Sequence, residues 1–136
     1  MPGAGGRRFW SRWLGARGER EAARWLRSQG YRIITRGYST SAGEIDLIAR
    51  DGDVLVFVEV KTRQQGNPAE AVDAGKQRRL TLAALHFLRH HRLLNAPGVR
   101  GRFDVVAIVW PEGGGTPRID HIRGAFDAVG QGQFFR

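Results

Sequence analysis

Hydrophobic and polar positions alternate most regularly between Gly43 and Arg63, in the run GEIDLIARDGDVLVFVEVKTR. Two stretches of period two, joined through Asp51-Gly52-Asp53, predict a hairpin of strands over Glu44 to Arg50 and Val54 to Lys61. Upstream, Ala22, Ala23, Trp25 and Leu26 fall on one helical stripe that stops at Gly30. That spacing predicts a helix over Gly18 to Gln29 with a glycine C-terminal cap. Tyr31 to Tyr38, rich in β-branched and aromatic residues, reads as a strand. After the hairpin, Asn67-Pro68-Ala69-Glu70 has the cap, first-turn proline and capping-box acid of a helix start, and Gly75 breaks or bends that element.

A longer helix follows, with Leu80, Ala83, Ala84, Phe87, Leu88 and His91 on its apolar stripe and Lys76, Arg79, Arg89 and Arg92 on the other face. Asn95 to Gly98 ends it. Phe103 to Trp110 and Arg118 to Arg123 are two further strands around a glycine-rich turn, Glu112 to Pro117. The order α-β-β-β-α-β-β predicts an α/β domain with a mixed sheet flanked by helices. It occupies residues 16–129, between a basic flexible arm at 1–15 and a frayed tail at 130–136.

Alternation sorts the hairpin's side chains. Val54, Val56, Val58 and Val60 share one face of the later strand, and Leu55, Phe57, Glu59 and Lys61 the other. On the earlier strand Ile45, Leu47 and Ala49 share a face, against Glu44, Asp46 and Ile48. With a four-residue connection Arg50 opposes Leu55 and Asp46 opposes Glu59; with a two-residue connection Glu44 opposes Glu59 and Asp46 lies diagonal to it. Either register places every acid on one face and backs the valines with apolar partners, whereas a one-residue slip mixes valines with acids.

The acidic face is divided along its length. Ile48, Leu55 and Phe57 lie near the turn, while Glu44, Asp46, Glu59 and Lys61 gather at the far end. Opposed carboxylates repel, and burial sharpens the penalty. A divalent cation removes it, and carboxylates, a backbone carbonyl and water are the ligands magnesium prefers. Lys61 can neutralise residual charge and contact a phosphate. Metal and lysine together lower the pKa of a water and stabilise charge developing on phosphorus.

Composition supports that direction. Lysine and arginine outnumber aspartate and glutamate 22 to 13, for a formal charge of +9 and a pI near 11.4. Such an excess favours a polyanion, nucleic acid first, with an anionic membrane surface as the competitor. The chain has no cysteine, which excludes disulfides, thiolate zinc sites and cysteine nucleophiles and suits a reducing cytoplasmic home. No apolar run is long enough to cross a bilayer. The first residues, MPGAGGRRFWSRWLG, mix arginines with aromatics; nucleic-acid arm, membrane-surface segment and transit peptide compete, and the early glycines and proline argue against a long amphipathic helix.

With GEREAARWLRSQGYRI before it, and a lysine-bearing helix and RFDVVAI after it, the hairpin resembles the YraN family of predicted endonuclease-like proteins. The likeness runs from about Gly18 to about Phe126. By fold that family is grouped with the PD-(D/E)xK nucleases, and the spacing of Asp46 from Glu59 is similar to that in archaeal Holliday junction resolvases. The resemblance implies a restriction-endonuclease-like fold and a magnesium- or manganese-dependent endonuclease acting on DNA, including branched or structured DNA. Asp46 and Glu59 match the metal-binding acids, the Val60 carbonyl a further ligand, Lys61 the catalytic lysine, and Glu19 an acid from the first helix. Lys76 or Gln77 matches an auxiliary polar group. Ile45 stands where the superfamily's proline would be, and Glu44 is an additional acid. Resolvases act as dimers, so a homodimer is compatible with this likeness.

Plainer accounts compete. A lone Glu-x-Lys on a strand is usually a surface ion pair, and Glu19 can simply complement a helix dipole. Asp104 with Arg102 reads as a buried structural ion pair. His86 and His90 have an i, i+4 zinc spacing with no third ligand near them in sequence, so they read as surface or interface histidines. Arg63, Lys76, Arg78 and Arg79 follow the site and suit phosphate contacts as well as a solvated helix face. Gly113 to Gly115 lacks the strand-to-helix context of a phosphate loop. Two other functions stay open: a nucleic-acid-binding module that does not cleave, and a basic adaptor for membrane or protein.

Overall fold

In the computed structural model, residues 4–63 and 72–128 are described, with side chains for 16–62 and 72–128. The elements are α1 (Ala4–Ser28), β1 (Arg32–Ser39), β2 (Glu44–Asp51), β3 (Val54–Arg63), α2 (Ala74–His90), β4 (Arg100–Val109) and β5 (Arg118–Phe126). This is the expected order, in one five-stranded sheet arranged β1-β2-β3-β4-β5. β3 and β4 pair in parallel, and the other neighbours are antiparallel. The parallel pair needs a crossover, and α2 lies within it.

Each face of the sheet buries one helix. Ala22, Ala23 and Leu26 of α1 pack on Leu47, Ala49, Val56, Val58, Val106 and Ile108. Leu80, Ala84, Phe87 and Leu88 of α2 pack with Ile48, Leu55, Phe57, Phe103 and Val105. Burial on both sides explains why β3 and β4 read as almost continuous apolar runs. The valines of β3 thus face α1, and Leu55, Phe57 and Glu59 face α2.

The β2–β3 register is the one with Arg50 opposite Leu55, and Asp51 also pairs with Val54, so the loop itself is two residues with Gly52 at φ +62°. Three details depart from expectation. The backbone of α1 is helical from Ala4, well before Gly18. Ile45 joins the α2-side cluster while Leu47 joins the α1-side one, so the regular alternation fails around Asp46. His91 is exposed and caps the C-terminus of α2 instead of lining its apolar stripe. The expected helix start at Asn67 to Glu70, Arg63's side chain and the tail from Gly130 lie outside the described residues. The start of α2 that is described is capped by Asp73, whose carboxylate accepts from the Lys76 amide at 2.9 Å.

Candidate functional site

Three local features bring acids to one end of the β2–β3 pair. The ladder between these strands ends at Leu47–Val58. Beyond it, the Val60 amide donates to Asp46 Oδ2 at 2.8 Å, so a carboxylate takes the place of a ladder carbonyl. A strand residue turns its N–H and C=O toward the same neighbour, which puts the Val60 carbonyl on the β2 side too.

Glu59 comes next to Asp46 on the α2-facing side of β3. Its surroundings follow from the stripe of α2. Val72 and Leu80 are buried in the helix-side cluster, and Lys76 sits one turn from each. Lys76 therefore faces the sheet, contrary to its expected place among the outward basic residues. Its Nζ lies 2.8 Å from Glu59 Oε1. Glu59 is only 7% exposed, so this ammonium is its close compensation within a largely dry setting.

Glu19 reaches the same end from α1. A Cβ at Gly18 would collide with the Thr62 hydroxyl, so a glycine there lets α1 run tight against β3. The next residue then lies within electrostatic reach of Asp46, Glu44 and Glu59. Lys61 follows Glu59 by two positions on the same strand and is half-buried.

These carboxylates outnumber the cations among them, and their titration reflects it. Burial and then the Glu59 charge push the Asp46 carboxyl up to about 7, with Glu19 adding to the rise; the Val60 amide and Lys76 only partly oppose it. Burial also raises Glu19, against the pull of Arg36 and with Glu44 and Glu59 reinforcing it. Lys76 is raised by its hydrogen bond to Glu59, which exceeds the cost of desolvating it. A site with this charge imbalance would favour an added cation. Among the described residues no three His, Asp or Glu side chains form a ready-made metal cage. The group that fits a cation is Asp46, Glu59 and the Val60 carbonyl, two carboxylates and one peptide oxygen.

The remaining expected residues divide. Arg79 is exposed, lies close enough to Lys76 to lower its pKa, and meets Gly43 of the β1–β2 loop through its Cβ. Gln77 donates from Nε2 to the Val72 carbonyl at 2.7 Å and braces the approach to α2. Sequence reasoning missed a second basic surface. Arg20, Arg24 and Arg27 of α1 and Arg36 of β1 line a hollow of about 250 Å³. The spacing of the three helical arginines was visible; that Arg36 would join them required the packing of α1 beside β1.

Asp104 is fully buried on the α1 side of the sheet, and here the structural ion-pair reading holds. Arg102 Nε and Nη2 donate to its two oxygens at 2.8 and 3.0 Å, the Gly124 amide donates at 3.0 Å, and His121 Nε2 lies 2.7 Å away.

The fold and site define an α/β protein with one mixed five-stranded sheet between two helices and a carboxylate cluster where β2 and β3 part. Residues 18–108 match the uncharacterised protein family UPF0102, and the chain belongs to that family, the same one as the YraN group. It is 45% identical to a UPF0102 protein of Anaeromyxobacter dehalogenans over 132 residues, 95% of each chain. A UPF0102 protein of Geobacter sulfurreducens is 47% identical over 119 residues, 84% of this chain and 88% of that one. Another, from Rhodopirellula baltica, is 47% identical over 109 residues, 76% of this chain but 64% of its own length. No helix among the described residues is long and apolar enough to cross a membrane.

Proposed function

We propose that this protein is a metal-dependent endonuclease that hydrolyses phosphodiester bonds in DNA, including branched or structured DNA, on a PD-(D/E)xK-like site. The observation that carries the reading is the half-buried Asp46 carboxyl, which accepts from the Val60 amide and is pushed up to about 7 beside Glu59 where β2 and β3 separate. A purely structural acid in that position would be matched by donors, as Asp104 is.

Asp46, Glu59 and the Val60 carbonyl would hold magnesium or manganese. The ion would supply Lewis-acid polarisation of the phosphate and a more acidic water. For Asp46 to serve as a ligand its proton must leave, so its raised pKa ties the site's readiness to neutral or higher pH. Lys61 is assigned to the charge that builds on the non-bridging phosphate oxygens as water attacks phosphorus and the P–O bond to the leaving group breaks. Glu19 positions the attacking water from the α1 side. Lys76 holds Glu59 through its ion pair and would be close enough to contact a phosphate bound beside it. Lys76, Gln77 and Arg79 are assigned to the adjoining nucleic-acid surface, with Arg63 assigned to it from the sequence alone, and the arginine hollow on α1 and β1 adds cationic reach.

A second reading is a binding module that keeps this arrangement without cleavage. The Lys76–Glu59 pair favours it, since an ammonium already compensates one of the two acids. Incubation with linear and branched DNA in magnesium, manganese or chelator separates the two. Metal-dependent nicking by the wild type, lost in Glu59→Gln and Lys61→Ala with binding retained, supports hydrolysis. Equal behaviour of wild type and variants in both cleavage and binding assigns the protein to the binding class.

A further inference from the structure

We propose that a groove between the β1–β2 loop and the outer face of α2 binds an unpaired nucleotide of the DNA, by stacking its base against His86 and His90. The groove has a volume of about 500 Å³ and is lined by Thr40, Ser41, Leu82, His86, Arg89 and His90 among others. That size is within the ~300–1,000 Å³ of small-ligand clefts. This proposal rests on the nucleic-acid reading above and adds a substrate class to it: DNA with a single-stranded segment.

The floor is apolar where a folded domain would normally hide it. Leu82 is 48% exposed and opens into this groove. Two imidazoles stand beside it, parallel within 8° and with centroids 6.3 Å apart. The flat rings of these two exposed side chains suit the planar π-face of a base, which stacks on aromatic side chains. The two rings are held by different neighbours. His86 Nδ1 and the Tyr38 hydroxyl share a hydrogen bond of 2.7 Å, and Tyr38 packs edge-on against buried Phe87 at 5.3 Å. His86 is thus a fixed platform anchored in the core. His90, exposed at the last position of α2, meets the His91 ring edge-on at 5.0 Å.

Charge and placement agree with this occupant. Arg89 lines the same groove and is exposed, ready for the phosphate that accompanies a base. The loop from Thr40 to Gly43 forms one wall, held in shape by Thr40 Oγ1, which accepts from the Ala42 and Gly43 amides at 3.1 Å each. Glu44 follows that loop directly, and the same helix carries Lys76 at its first turn. From Lys76 to His86 the helix rises about 15 Å, a span of a few nucleotides of single strand. A strand whose phosphate lies at Asp46 and Glu59 can therefore place an unpaired base in the groove. Duplex DNA cannot, because its bases are stacked on one another and unavailable to histidine.

The test measures binding in chelator, where no cleavage occurs. The probes are oligo-dT carrying a 2-aminopurine, the corresponding blunt duplex, and a polyglutamate peptide. We expect His90→Ala to weaken the single strand about tenfold and to abolish 2-aminopurine quenching, with duplex affinity within about twofold of wild type. His90→Phe should restore both, which a general loss of charge or fold would not allow. An equal loss on both DNA forms, no loss on either, or tighter capture of polyglutamate than of oligo-dT would overturn the proposal. A wild type that nicks no DNA but shows the His90 effect removes the hydrolase reading and leaves the groove. Intact nicking with an unaffected single strand does the reverse.

Discussion

Two aspartates in one sheet, the buried Asp104 and the half-buried Asp46, are shifted in opposite directions by their surroundings. Burial alone would raise both. At Asp104 the hydrogen bonds from His121, Arg102 and Gly124 outweigh burial and hold the carboxyl below its ordinary value. At Asp46 one amide and the Lys76 ammonium, which is bonded to Glu59, do not, and Glu59 and Glu19 worsen the imbalance. The difference shows that a buried acid in itself says little about function; the supply of donors around it decides. Asp104 ties β4 to β5 and, through Arg102 and the Tyr31 hydroxyl at 2.7 Å, to the end of α1. Asp46 is left wanting a cation, and that want is what a functional site can use.

Several substitutions sharpen this contrast. The largest effect is expected on activity: Glu59→Gln should lower metal-dependent nicking at least ~100-fold while DNA affinity stays within about twofold, read by gel cleavage and fluorescence anisotropy. Next, Asp104→Ala should destabilise the fold by about 3–5 kcal/mol in urea unfolding, because it leaves Arg102 and His121 without their shared acceptor. Asp46→Asn should act in the opposite sense, stabilising the metal-free protein by about 1–3 kcal/mol at pH 8 while removing metal binding. Lys76→Gln should destabilise the fold by about 1–2 kcal/mol, because it takes the ammonium from the nearly buried Glu59, with the loss softened by the half-exposed position of Lys76 itself.

The pH dependence separates the two aspartates again. The folded pKa of Asp46 is raised, so the folded state keeps its proton longer than the unfolded chain does, and stability falls as pH rises from about 4 to about 7. Asp104 has the depressed folded pKa, so its contribution is present above its ordinary value of 3.8 and is lost as pH falls below that. Asp46→Asn should flatten the neutral limb and spare the acid limb. Added magnesium should stabilise the wild type more at pH 8 than at pH 6.

Much of the fold was legible in the chain. Alternation predicted which faces β3 would present, and the turn at Asp51-Gly52-Asp53 predicted the hairpin, because both are local consequences of strand geometry. Asp46 and Glu59, which act on each other electrostatically, could be grouped for the same reason. What escaped depended on packing between distant elements. Ile45 changes face because the strand is irregular at the residue that bonds Val60. Lys76 could be placed near the site from the sequence, but its ion pair with Glu59 depended on how α2 docks on the sheet. The backbone of α1 continues to Ala4 through a glycine-bearing segment whose propensity argues against helix. The arginine hollow and the histidine groove each join a helix to an edge-strand element, a combination that no single window of sequence contains.

The central claim is that Asp46 sits in a pocket of uncompensated negative charge that a divalent cation relieves. Carboxyl carbon NMR titration of Asp46, with and without magnesium, measures this directly. The account predicts a midpoint near 7 in the free protein and a clear fall when magnesium is added. A midpoint near 4 that magnesium leaves unmoved would contradict it.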